Sequence, residues 1–248
     1  MRQLIRIVVP IQFVLLIFCS FCFVPDSRAQ NAVPTKLVAV INDQPAPELI
    51  FFKELVHEIC NRLDIDLQVI ALPYARAAHE VNQGTYDADG PRNPTVEKNH
   101  PNLVRVPEVF FFNDLVAFAK KPDIMLSGWE SLKSLRVAYV RGWQVYETNV
   151  AGEKNLEILD SEKALFKFLY AGRTDVALAA RYLGLKIVHD LNLNGIYLVE
   201  PPLVVKKMYL YLNKKHAKLA PILAETLRGM KADGTYQKIY NKIIGPIL

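Results

Sequence analysis

Between Gly90 and Lys98 the chain reads Gly-Pro-Arg-Asn-Pro-Thr-Val-Glu-Lys. Arg92, Asn93, Thr95 and Lys98 bring two cations, an amide and a hydroxyl into a few residues, enough to hold a small polar or anionic molecule. Gly90, Pro91 and Pro94 free or fix the backbone, so the run from Gly90 to Thr95 is expected as an irregular, exposed loop. The elements before it set its position. Leu67–Leu72 is a short apolar run that predicts a buried strand. A short helix with Ala75, Ala78 and Val81 on one face follows, and Gly84 stops it. A second strand, Thr85–Asp89, then delivers the polar loop at its carboxyl end, where open α/β sheets bind ligands. Tyr74 and Arg76 open the short helix. Tyr74 either lines the cleft or packs beneath it. Arg76 either reaches a ligand or pairs with a carboxylate on its own helix.

A second polar group lies further along. Arg136–Val140 predicts a strand that ends in Arg141-Gly142-Trp143-Gln144, a glycine turn before a helix. Free backbone N–H groups at such a start favour an anion, and Trp143 and Gln144 are placed to line it. Asp175–Ala180 predicts another buried strand, with Arg181 and Tyr182 at its end; Asp175 itself reads as a structural cap. Asp43 stands in the turn after a first strand, Lys36–Ile41. Three adjacent rings, Phe110, Phe111 and Phe112, fit either core packing with one ring exposed or an aromatic wall.

Composition narrows the function classes. The chain has 248 residues, half of them hydrophobic, and a formal charge of +5 spread without clusters. That pattern carries no sign of a nucleic-acid partner. The His residues lack metal-ligand spacing, and no catalytic triad, phosphate loop or dinucleotide fingerprint is present. No metal, cofactor or enzymatic activity is therefore expected. Arg2 and Arg6, the apolar run Ile7–Val24 and the small residues of Ser27-Arg28-Ala29 read as a secretory signal peptide over 1–29, cut before Gln30. An uncleaved membrane anchor is the alternative. Cleavage would remove three arginines and one aspartate, lowering the charge to +3, and would remove Cys19 and Cys22. Cys60 would then have no internal partner and reads as a buried thiol.

The remaining elements alternate strand and helix. A helix over Leu49–Leu63 turns Phe52, Leu55, Val56 and Ile59 to one face. Leu115–Ala119 is an apolar strand taken as the crossing into a second lobe. A helix runs from a cap at Asp160 or Ser161 to Tyr170. Ile196–Val199 and Tyr209–Leu212 predict two strands, with Pro201-Pro202 as the return connection. Lys218–Lys231 and the segment after Gly234 predict closing helices. This order argues for an α/β chain with parallel sheets.

Several segments together resemble a known family. Pro73-Tyr74-x-Arg76-Ala77, Val81-x-x-Gly84-x-x-Asp87 and Gly90-x-x-x-x-Thr95-x-x-Lys98 are similar to the first lobe of the family 3 periplasmic solute-binding proteins. Leu132–Ala138 with Arg141-Gly142, Leu169-x-x-Gly172-Arg173-x-Asp175 and Met230–Ile239 resemble its second-lobe opening, its helix-to-strand signature and its C-terminal signature. The resemblance implies two α/β lobes joined by two hinge strands: lobe 1 from 30–119 and 205–248, lobe 2 from 120–204. It implies a monomeric periplasmic protein that closes on a small-molecule ligand for an inner-membrane ABC permease or a sensor. The family's amino-acid binders use an arginine where this chain has Lys98 and an aspartate where it has Ala180, next to Arg181. Those departures point to an anionic or uncharged ligand. Relatives on this scaffold also include periplasmic dehydratases, so an enzyme or an orphan sensor module stays open.

Overall fold

The computed structural model describes residues 34–42, 44–152 and 155–248. The proposed signal segment and Asp43 lie outside them. β1 (Lys36–Ile41) sits between β2 (Asp66–Ile70) and β3 (Ala88–Arg92), parallel to both. α1 (Pro47–Arg62) starts with proline at its first turn, where the missing N–H costs nothing. It buries Phe51, Phe52, Leu55, Val56 and Ile59 while Lys53 and Glu54 stay exposed. Each such large apolar side chain contributes about 2 kcal/mol by leaving water. α2 (Tyr74–Gln83) ends at Gly84 with φ 87°, the left-handed stop its sequence predicts. Cys60 is buried in the same core, and burial pushes its thiol up to about 11.

After β4 (Leu103–Arg105), β5 (Phe111–Ala119) leads into a second group. β6 (Val137–Val140) lies between β7 (Leu156–Leu159) and β8 (Val176–Ala180), again parallel, and β5 closes on β8 antiparallel. α3 (Gln144–Asn149), α4 (Glu162–Tyr170) and α5 (Arg181–Asp190) connect these strands. Ser161 caps α4 through the Ala164 N–H at 3.2 Å. One face of this sheet packs Leu132, Tyr146 and Val150, and the other packs Phe166, Leu169 and Leu193. α6 (Ala220–Ala232) and α7 (Thr235–Ile243) return to cover the first core beside α1.

With the last strand, β9 (Tyr197–Asn213), the strand order is β2-β1-β3-β9-β5-β8-β6-β7. β9 is one strand of 17 residues that serves both halves. Its beginning pairs with β5 and its end with β3 and β4. The chain thus folds as two α/β lobes joined by crossing strands, β5 and β9. Two expectations need correction here. Ile196–Val199 and Tyr209–Leu212 are parts of one strand, because Pro201 and Pro202 fall where the β5 register shifts and no ladder N–H is required. Gly90 and Pro91 are buried strand residues rather than exposed loop, and a register shift against β9 between Asp89 and Arg92 accommodates the proline. The polar turn begins only at Asn93.

Candidate functional site

The carboxyl ends of the parallel strands and the starts of the following helices carry the polar residues. In the first lobe Asp89 is 1% exposed and Arg92 is bound to it. Arg92 Nε donates to Asp89 Oδ2 at 2.6 Å and Nη2 to Oδ1 at 3.1 Å. Nη2 also donates to the Tyr74 carbonyl, and the guanidinium lies 4.8 Å over the Tyr74 ring. The fork of Arg92 is therefore engaged inside its own lobe. Burial holds the Asp89 carboxyl above its ordinary range despite Arg92. Burial also pushes the Tyr74 hydroxyl up to about 12. Asn93 accepts from the Thr95 N–H and hydroxyl at 3.0 and 2.5 Å, so the two form a local cap on an exposed turn, Pro94–Lys98. Lys98 is exposed at its end. Arg76 points to solvent, 4.0 Å from Glu80 one helical turn on.

In the second lobe Arg181 is the first residue of α5. Its Nε donates to Asp114 at 2.8 Å, and its two Nη atoms donate to Glu200 at 2.5 and 3.1 Å. Asp114 lies on β5 and Glu200 on β9, so this cation is tied to both crossing strands. Trp143, half-buried, donates its indole N–H to Glu162 at 3.0 Å. Burial pushes the Glu162 carboxyl up to about 7, with the Trp143 bond opposing and the charge of Glu48 adding. Gln144 is exposed at the start of α3.

Glu48 joins the lobes. It lies in the first turn of α1, and its Oε1 accepts the N–H groups of Tyr182 and Leu183 at the start of α5, each at 3.2 Å. Burial holds its carboxyl above the usual range. Glu48 Oε2, Glu162 Oε2 and the Tyr146 hydroxyl are buried with no hydrogen-bond partner among the described residues. Burial holds the Tyr146 hydroxyl well above its ordinary range and so neutral, with the charges of Glu162 and Glu48 adding.

The anion site expected at the Gly142 turn holds one of the chain's own carboxylates: Glu147 accepts the Gly142 N–H at 2.8 Å. The start of α5 is likewise taken by Glu48. With Arg92 and Arg181 also paired, the charge argument for an anion loses its footing. The structure brings Tyr74 and Arg92 together, and places Arg181 and Trp143 with carboxylates that sequence reasoning did not single out. Glu48, Asp114, Glu162 and Glu200 read as ordinary helix-start or strand acids. For Glu48 and Glu162 the local signal is an acid in the first turn after a proline or a serine cap; Asp114 and Glu200 carry none. Asp175, as expected, is structural: it pairs with Arg136 at 2.8 Å.

Comparison with known proteins places this geometry. The chain is 24% identical over 233 residues to the histidine-binding periplasmic protein of Escherichia coli K12, covering 90% of this chain and 89% of that one. A histidine kinase sensor domain with similarity to periplasmic binding proteins superposes with a TM-score of 0.66 at 18% identity, covering 87% of this chain and 97% of that one. An ancestral amino-acid-binding protein described as a precursor of cyclohexadienyl dehydratase superposes with a TM-score of 0.63 at 15% identity, covering 85% and 96%. These likenesses share the two-lobed fold. The model of the bacterial extracellular solute-binding proteins, family 3, matches residues 51–246, and the chain belongs to that family.

Proposed function

We propose that this protein is a periplasmic receptor, exported by residues 1–29, that closes its two lobes around one small polar molecule. The observation that carries the reading is Glu48: a first-lobe carboxylate bound to the first N–H groups of a second-lobe helix, beside polar side chains of both lobes. A ligand that binds the closed arrangement better than the open one shifts the population by that difference. The closed monomer is then read by an ABC permease or by a sensor protein. The likeness to a periplasmic amino-acid binder and to a kinase sensor domain supports both routes. The internal pairing of Arg92 and Arg181 supports a polar ligand over a strongly anionic one.

The test is a thermal-shift screen of the purified chain against amino acids, dicarboxylates, polyamines and sugars. A binder raises the melting temperature as its concentration exceeds its dissociation constant. A shift with one class, and recovery of that ligand unchanged, supports the receptor. No shift with any class counts against it.

One observation favours a second reading. Glu162 is a shielded carboxyl pushed to about 7, held by Trp143 and within reach of the charge of Glu48. A group poised there suits general acid catalysis at neutral pH, as a dehydratase would need. Chemical change in a screened compound, lost in Glu162→Gln, would support this reading; an unchanged ligand would exclude it.

A further inference from the structure

A cavity of about 150 Å³ lies where α1, α5, α7 and the crossing strand β5 meet. Its wall is aromatic: Phe51 and Phe111 from the core, Tyr236 and Tyr240 from α7, Tyr182 from α5, and Phe112, 53% exposed. The Phe51 ring meets those of Tyr236 and Tyr240 edge-on at 5.2 and 5.6 Å, and the Tyr182 and Tyr240 hydroxyls share a hydrogen bond of 2.7 Å. The two ionisable acids on this wall are Glu48 and Asp114. Among the described residues no lysine or arginine lines it. Arg181 stands behind Asp114 and is engaged by Glu200 as well. Tyr74, Arg92 and Trp143 are not among its lining residues; it shares Glu48, Asp114 and Tyr182 with the site described above.

The volume matches that of apolar cavities that admit a benzene-sized guest. Aromatic side chains beside a carboxylate make surroundings that favour a compact organic cation over a neutral molecule of the same shape wherever a ring turns its face to it. Glu48 supplies the unmet demand. It is buried, one oxygen is spent on α5, and the other has no partner among the described residues. Burial favours its neutral form, and a cation bound beside it would favour its charged form.

We propose that this cavity is a binding site for a small organic ammonium ion, held by the Glu48 carboxylate within the aromatic wall. The wall draws on both lobes and on a strand that joins them, so an occupant fastens the lobes together. The site does not depend on what the cleft itself takes.

The experiment is calorimetric titration of the purified chain with tetramethylammonium chloride, with tert-butyl alcohol as the neutral probe of similar shape. We expect saturable one-site binding of the cation, and affinity for the alcohol weaker by at least about tenfold. Glu48→Gln keeps an acceptor for the α5 N–H groups and removes the charge; it should weaken the cation by about tenfold. Phe112→Leu, at an exposed position, should weaken it about threefold and keeps the test open if Glu48→Gln fails to fold. Absence of saturable binding, equal affinity for the alcohol, or unchanged affinity in either folded variant would overturn the proposal. A cleft ligand from the thermal screen that binds the unaltered chain while tetramethylammonium does not would show that the receptor reading survives the failure of this one.

Discussion

The two lobes hold their arginines in different ways. Arg92 pairs with Asp89 three residues away on the same strand, with both side chains nearly out of water. Arg181 reaches Asp114, 67 residues earlier, and Glu200, 19 residues later, on the two crossing strands. The first pair is local and is assembled when one lobe folds. The second exists only when α5, β5 and β9 are mutually placed. An arginine in a polar cleft thus need not be a ligand grip. In the first lobe it neutralises a buried acid, and in the second it fixes a helix start to the hinge.

Removing Arg92 should break this contrast most severely. Arg92→Ala leaves the Asp89 carboxyl buried with its charge uncompensated, and we expect a loss of about 4 kcal/mol in urea unfolding. A loss below that of the Arg181 variant would show that the local pair is not the stronger one.

Glu162 adds a pH dependence specific to the second lobe. Its folded carboxyl holds a proton up to about 7, whereas the unfolded chain releases it near 4.5. The folded state therefore binds more protons between those values, so this contribution is full below pH 4.5 and drains away as pH rises through 7. It amounts to roughly 3 kcal/mol at most. Unfolding curves from pH 4 to 8 should show the decline, and Glu162→Gln should flatten it.

Arg181→Met should cost least, about 1 to 2 kcal/mol, because Glu200 is half-exposed and Asp114 keeps some access to water. Its larger effect should be on hinge geometry. Small-angle scattering of the unliganded variant should report a wider spread of lobe separations than the unaltered chain. An identical profile would mean that the crossing strands need no such brace.

The strands and helices of the first lobe were legible because their patterns are local. The apolar run of β1, the face of α1 and the glycine after α2 each state their element within one window. β9 was not, since Pro201-Pro202 is the usual mark of a break and only the register shift against β5 makes room for it. Gly90-Pro91 misled for the same reason. The ligand-facing picture was less legible still. Trp143 and Arg181 were named as candidates, but their carboxylate partners lie on other elements, while Arg92 turns back onto Asp89 of its own strand. Whether a cation is free or neutralised depends on contacts that no sequence window contains. Glu48 was invisible because one acid at a helix start looks like any other until a second helix is packed against it.

The length of β9 has a consequence for the order in which the chain can be made and moved. β3 and β4 both wait for Tyr209–Asn213, and α1 waits for α6 and α7. The first third of the polypeptide to emerge is therefore the last to be finished. Until the final forty residues arrive, Phe51, Phe52 and their neighbours lack their cover, so the first core can close only after synthesis is nearly complete.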